Sequence, residues 1–349
     1  MLQAMKKEIA IRKDYLGVPY DGRVGAGTLY FGGGTPSVLT IDELAGFLDV
    51  IHQYYLLDPD AEVTLEANPD DLTDEYLDGL RKLGFNRLSI GIQSFNDDDL
   101  KWMNRRHNGT EAIRSVKSAQ QHGFRNINVD LIYGLPSLTP GRWKEQIEQF
   151  ISLDVPHLSA YHLTIEQRTV FGRRQAKGEG FAIPEENSVD QFDMLVNMTQ
   201  EAGMEHYEIS NFAKPGFMSN HNSNYWRNKP YIGIGPSAHS YDGVSRQWNL
   251  SNNSEYIRAV GNGDGYSEKE ELSVTDRYND YILISLRTAW GVSADYINQH
   301  FGKPYLDYFR QQCSRYIRDG FMEMKDENTW VLTHKGKLIA DRITSDLMS

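Results

Sequence analysis

Thr28-Leu29-Tyr30-Phe31-Gly32-Gly33-Gly34-Thr35-Pro36-Ser37-Val38-Leu39 decides how the chain is read. Thr28 to Phe31 are β-branched, aliphatic and aromatic, the composition of a buried strand. Three glycines end it and expose bare backbone, which a ligand can approach closely. Thr40 and Glu43 follow at capping-box spacing, and Leu44, Leu48, Ile51 and Tyr55 then fall on one helical stripe. A strand, a glycine turn and a helix N-terminus together suit a carboxylate, phosphate or amino-acid ligand. The same grammar also serves as a plain tight connection, so the rest of the chain has to decide.

The totals narrow the field. The chain has 349 residues, 40% of them hydrophobic, enough for a large domain with a smaller one, or for two. A formal net charge of −12 argues against a broad nucleic-acid footprint. No apolar run approaches a membrane span and no signal peptide opens the chain; peripheral membrane contact stays open. Cys313 is the single cysteine, which excludes an intrachain disulfide framework and fits a reducing cytoplasm. One thiolate cannot hold an iron–sulfur cluster by itself.

A repeated unit runs through the first 210 residues. Leu2, Met5, Ile9 and Leu16 suggest a surface helix, and Gly17 to Gly27 a loop. Beyond the glycine turn, Glu62 to Ala67 reads as a strand, and Thr73 caps a helix ending at Gly84. Arg87–Ile92 is a strand, Thr110 caps a helix ending near Gly123, and Asn126–Ile132 is a strand. Pro140 opens another helix, and Leu158–Leu163 and His206–Ile209 are further strands. Each glycine supplies the left-handed residue that ends a helix. Alternating β and α units indicate a parallel sheet, open or curled into a barrel. Glu66, Gln93 and Asp130 stand at or near strand C-termini, the face of such a sheet where ligands bind. Singly each is an ordinary loop residue; together, beside the glycine turn, they suit a ligand bearing an ammonium group, hydroxyls and a carboxylate.

Gly32-Gly33-Gly34-Thr35-Pro36-Ser37, Glu66-Ala67-Asn68-Pro69, Gly91-Ile92-Gln93-Ser94-Phe95, Asn104-Arg105 and Asp130-Leu131-Ile132-Tyr133-Gly134-Leu135-Pro136 occur in this order. The chain thereby resembles the radical S-adenosylmethionine proteins of the oxygen-independent coproporphyrinogen oxidase group, over nearly its whole length. Within that group its pattern is nearest to the HemW-type haem chaperones. The resemblance implies a partial (β/α)6 TIM-like barrel, here without its first strand, followed by a winged-helix-like C-terminal domain. It also implies that Gly33, Gly34 and Thr35 hold the methionine end of S-adenosylmethionine, with Glu66, Gln93, Arg105 and Asp130 lining the rest. The adjacent Arg106 leaves open which arginine points inward.

One departure follows. The family carries three cysteines at C-x₃-C-x₂-C spacing on the loop after its first strand, and these hold a [4Fe–4S] cluster. Here the first helix matches the one after that loop, and Cys313 matches no family ligand. The expectation is a chain that starts downstream of the cluster motif, with Thr28–Phe31 left as a sheet edge and no radical chemistry of its own.

Residues 211–248 hold a second constellation, His221-Asn222-Ser223-Asn224-Tyr225-Trp226 and then Tyr231-Ile232-Gly233-Ile234-Gly235-Pro236-Ser237-Ala238-His239. Haem iron takes histidine axial ligands, and aromatic side chains pack on the macrocycle. His221 is the first candidate ligand and His239 the second; either equally suits a loop-orienting hydrogen bond, and Trp226 a core position. Asn252–Lys269 reads as a polar linker. From about residue 272, three helices, a hairpin around Asp326-Glu327-Asn328 and a last helix capped by Thr333 make the winged-helix-like unit. Its ten basic and eleven acidic residues over 271–349 argue against DNA. The expected domains are 1–212, 213–270 and 271–349. Three functions remain in play: a haem chaperone serving respiratory apoproteins, a radical coproporphyrinogen oxidase, and a binding protein without a cluster.

Overall fold

A computed structural model describes residues 1–17, 24–164 and 185–349. The chain divides into two compact units. One comprises Tyr30–Ile41 and Glu62–Met218; the other comprises Met1–Leu29, Asp42–Ala61 and Ser219–Ser349.

Seven strands form the principal sheet: β1 (Val24–Phe31), β2 (Tyr55–Ala67), β3 (Arg87–Gln93), β4 (Asn126–Tyr133), β5 (His157–His162), β6 (Glu205–Glu208) and β7 (Asn211–Ala213). Their order is β1-β2-β3-β4-β5-β7-β6, so β1 and β6 are the outer strands of this sheet among the described residues. Helices Asp74–Lys82, Gly109–Gln121 and Pro140–Ser152 connect β2 through β5, whose pairings are parallel. Register sets Glu66 beside Ser89 and Asp130 beside Ser159. The all-parallel expectation ends at β5, because β7 is antiparallel to both β5 and β6. Only Ile209 and Ser210 separate β6 from β7, which allows a hairpin and no crossover.

Alternation along the strands separates two faces. Leu88, Ile90, Ile127, Val129, Leu131 and Leu158 are sealed from solvent with the helix residues Leu77, Leu80, Val116 and Ile147. Arg87, Ser89, Asn128, His157 and Ser159 occupy the alternate positions and are buried as well. One face of the sheet is thus a hydrocarbon core, and the other a polar interior.

In the second unit β8 (His239–Tyr241), β9 (Ser245–Asn249) and β10 (Ser267–Glu271) form an antiparallel sheet in the order β10-β9-β8. Beyond it β11 (Val292–Ser293), β12 (Met322–Asp326) and β13 (Thr329–Leu332) pair in the order β11-β13-β12. Helices Val274–Leu286, Ala294–His300 and Lys303–Arg318 precede the β12–β13 hairpin, and Thr333 caps the helix after it, as expected.

Four local expectations need correction. The stretch read as a loop from Gly17 to Gly27 is in part strand, since residues 24–27 belong to β1, and residues 18–23 lie outside the described residues. Asn108, not Thr110, caps Gly109–Gln121: its side chain accepts from Glu111 N–H, and Glu111 accepts from Asn108 N–H in return. Asn252–Lys269 is no linker. Asn252 caps the helix Asn253–Asn262, whose Tyr256 and Val260 are fully buried, and Ser267–Lys269 belong to β10. The first helix, Leu2–Ile11, is not a plain surface helix, since Ala4 packs against Tyr256 and Val260 and Glu8 is fully buried.

Candidate functional site

The glycine turn is held by a carboxylate. Gly33 N–H donates to Glu66 Oε2 at 3.1 Å, and Tyr30 O–H donates to Glu66 Oε1 at 2.7 Å. Gly33 has φ of +74°, a region that residues with a Cβ seldom occupy. A Cβ on Gly32 would lie 2.4 Å from the Tyr30 ring and 2.8 Å from Glu66 Oε1. The bare backbone is therefore required for Glu66 to reach the turn. Gly34, also left-handed, stays open around its Cα, and Thr35 follows with no capping bond from its side chain.

Arg105 and Gln93 converge on the next strand end. Arg105 donates to Asn68 Oδ1 at 2.9 Å and to the Gly91 carbonyl at 3.0 Å. A Cβ on Gly91 would meet Gln93 Nε2 at 3.0 Å and the Arg105 guanidinium at 3.4 Å, so both side chains lie over that glycine. Gln93 itself has φ of +66°, a strained conformation for glutamine. Burial lowers the Arg105 pKa, and Asp70 opposes that shift. Arg106 turns away, to Asp70 at 2.7 Å and Asp71 at 3.2 Å.

Asp130 completes the group on β4. Its carboxylate accepts from Asn128 Nδ2 at 2.7 Å and from Ser89 at 3.5 Å. Burial pushes its pKa up to about 6; the Asn128 bond opposes this and the Glu66 charge adds to it. A polar relay lies beneath. Asn128 Oδ1 accepts from His157 Nδ1 at 2.6 Å, and His157 Nε2 accepts from Tyr207 O–H at 2.7 Å. Burial holds His157 well below its ordinary pKa, so the ring is neutral and the tautomer follows from these partners. Ser159 O–H donates to Asn211 Oδ1 at 2.6 Å, and Asn211 in turn donates to Glu208.

Glu66, Gln93, Arg105 and Asp130 therefore gather with the glycine turn in one unit. Asn128, His157, Ser159, Tyr30 and Asn68 were missed by sequence reasoning. For Asn128, His157 and Ser159 the signal was the polar residue at every second position of β4 and β5. Two carboxylates, a guanidinium, a backbone N–H and a hydroxyl fit a sulfonium-bearing amino acid with ribose hydroxyls. They do not fit an iron–sulfur cluster. Cys313 is buried in Lys303–Arg318, its thiol donates to the Arg310 carbonyl, and burial pushes its pKa up to about 11. Among the described residues no group of His, Cys, Asp and Glu is placed to hold a metal ion.

The other unit holds the histidines. His221 lies on Asn220–Trp226, capped by Ser219. Its Nδ1 is 3.0 Å from Thr28 Oγ1, and its Nε2 is 3.1 Å from the Tyr225 hydroxyl. Tyr225 stands edge-on to His221 and to Tyr231, with ring centroids at 5.0 and 4.6 Å. His239 opens β8 and is exposed. Trp226 is half-buried, and its indole N–H is shut from solvent without a hydrogen-bond partner among the described residues. Glu8 steadies the glycine loop between the two histidines. It accepts from Gly235 N–H at 2.9 Å, Asn249 at 2.7 Å, Arg12 at 3.3 Å and the Tyr256 hydroxyl.

Comparison with known proteins adds to this geometry. The Radical SAM superfamily model matches residues 20–150, and the HemN C-terminal domain model matches residues 272–339. The heme chaperone HemW of Bacillus subtilis is 34% identical over 318 residues, covering 90% of this chain and 84% of that protein. The heme chaperone HemW of Escherichia coli is 32% identical, covering 90% and 82%. Among solved structures, coproporphyrinogen III oxidase (HemN) of Escherichia coli, described as a radical SAM enzyme, superimposes with a TM-score of 0.85. It is 23% identical, covers all of this chain and 82% of its own, and shows the fold alone.

Proposed function

Because the chain belongs to the HemW family of radical S-adenosylmethionine proteins, we propose that it is a haem-binding chaperone that passes haem to respiratory apoproteins. The observation that carries this reading is the similarity to curated HemW proteins, which spans both the sheet unit and the C-terminal helices. No observation of its own supports the oxidase alternative, since the likeness to the oxidase is one of fold.

Within this reading the polar cup holds S-adenosylmethionine. When bound, that cofactor supplies a sulfonium group and an adenosyl moiety. Glu66 and Asp130 offer negative charge to an ammonium group or acceptors to ribose hydroxyls, and Arg105 offers a donor fork to a carboxylate. Gly33, Gly34 and Thr35 let the main chain approach the amino-acid end, and Gln93 closes the rim. Cys313 is buried and hydrogen-bonded, so it is not placed to serve as a ligand of a [4Fe–4S] cluster. The haem cargo belongs to the other unit, with the His221 helix and, second, His239 as the places to seek its iron ligand.

The test is a titration of the purified chain with ferric haem, followed at the Soret band, beside calorimetry with S-adenosylmethionine. One saturating haem equivalent and a separate adenosylmethionine isotherm are expected. Glu66→Gln should impair the second and leave the first intact. A chain that shows no saturable Soret change is not a haem chaperone.

A further inference from the structure

We propose that His157, held by Tyr207, is a positioning residue for the ligand cup: through Asn128 it fixes a hydrogen-bond donor on Asp130 and keeps that carboxylate an oriented acceptor. The inference rests on the S-adenosylmethionine reading of the cup given above and deepens it.

Register places the parts. On neighbouring parallel strands His157 stands beside Asn128, and Ser159 beside Asp130. Asn128, His157 and Tyr207 are sealed from solvent, whereas Asp130 is half-buried. The sealed residues cannot touch a ligand and can act on one only through the carboxylate.

The polarity of the chain follows from that end. An ionised carboxylate only accepts, so the Asn128 atom 2.7 Å from Asp130 Oδ1 is the amide nitrogen, which also donates to Ser89 Oγ at 2.8 Å. The amide oxygen therefore faces His157, and Nδ1, 2.6 Å from it, carries the ring proton. Burial keeps the ring neutral, so Nε2 is the lone pair, and it accepts from Tyr207 O–H at 2.7 Å. Ser159 Oγ lies 3.1 Å from the same amide oxygen, but its proton goes to Asn211 Oδ1 at 2.6 Å. Without the His157 donor the amide is free to turn its oxygen toward Asp130. Two acceptors in contact then favour the protonated carboxyl.

The other groups acting on Asp130 are Tyr30 on β1, Glu66 on β2, Arg87 on β3, Arg105 beyond it and Tyr161 on β5. Burial raises the pKa of both phenols, so they stay neutral. The Glu66 charge favours protonated Asp130, and Arg87 favours the carboxylate. Replacing His157 by a neutral residue changes none of these charges.

The test reads Asp130 first without ligand. The full chain, carrying aspartate labelled with carbon-13 at the side-chain carboxyl, is titrated by NMR, and the Asp130 signal is assigned by its loss in Asp130→Asn. His157→Gln, which leaves no donor at Asn128, should raise the midpoint by about one pH unit, the scale of one hydrogen bond to a charged group. His157→Asn, whose amide N–H takes the place of Nδ1–H, should restore it. Tyr207→Phe keeps the ring and should raise the midpoint by a smaller amount; it decides by the same measure if His157→Gln does not fold. Calorimetry then gives the affinity for S-adenosylmethionine. His157→Gln should lower it about fivefold near pH 6, the ratio of ionised fractions for a one-unit change, and leave it nearly unchanged near pH 8.5. A folded His157→Gln chain with an unmoved Asp130 midpoint overturns the proposal. So does an equal loss of affinity at both pH values, the mark of a merely structural role. If the midpoints move as expected while no variant and no unsubstituted chain binds S-adenosylmethionine, the reading of the cup fails and the control of Asp130 by His157 stands.

Discussion

Asp130 sets the charge of the cup, and its behaviour with pH can be worked out. Its folded-state pKa of about 6 lies above the ordinary 3.8, so the native state holds a proton that the unfolded chain has lost. Its contribution to stability is therefore present at low pH and is lost as pH rises from about 4 to about 6. Asp130→Asn should be the more stable protein above about pH 6 in denaturant titrations, and the gain should vanish below about pH 4. Binding has the opposite sign. A cationic ligand prefers the carboxylate, so calorimetric affinity for S-adenosylmethionine should rise as pH passes about 6, and the asparagine variant should lack that rise. Glu66→Gln should weaken that affinity at every pH, since it removes a charge clamped on Gly33 and Tyr30. These side chains were legible because each ends a strand beside a recognisable segment. Arg105 could be told from Arg106 only through Asn68 and the Gly91 carbonyl, contacts that adjacent letters cannot express. His157 was illegible for another reason: a lone histidine in a strand gives no sign that Asn128 and Tyr207 await its two nitrogens.

At the scale of elements, local chemistry decided boundaries and tertiary packing decided existence. Thr73 and Thr333 cap the helices assigned to them, and Thr139 caps the helix that Pro140 opens. Asn108 competes with Thr110 two residues away, and its reciprocal bond with Glu111 settles the choice. Asn108→Ala should therefore cost about 1 kcal/mol in chemical denaturation, while Thr110→Ala should cost far less. The helix Asn253–Asn262 was missed because its flanks are rich in glycine, asparagine and serine, and only Tyr256 and Val260 are fully buried in its core. Its partner is the first helix of the chain, whose Glu8 accepts from Gly235, Asn249, Arg12 and Tyr256. Removing one member of a buried charged network leaves the others unpaired. Glu8→Ala should cost about 3 kcal/mol or more by the same assay, and Glu8→Gln should recover part of it.

For the molecule as a whole, the alternation of strand, helix and terminal glycine was enough to indicate a parallel sheet, while its curl came from the family resemblance and the C-terminal unit from the change of pattern after residue 272. It could not indicate that β7 turns back between β5 and β6, because short strands after a helix carry no mark of direction. Nor could it indicate that residues 1–29 and 42–61 group with the C-terminal half, a matter of contacts far apart along the chain. The single thiol has a whole-molecule consequence: Cys313 should resist alkylation until the protein unfolds, since it is buried and its pKa stands at about 11. Delivery of haem is the broadest claim and has its own kinetic signature. The chain loaded with haem is mixed with rising concentrations of an apo b-type respiratory haem protein, and the acceptor's Soret band is followed. Direct delivery predicts a transfer rate that climbs with acceptor concentration; a rate that stays fixed at the speed of spontaneous haem loss would contradict it.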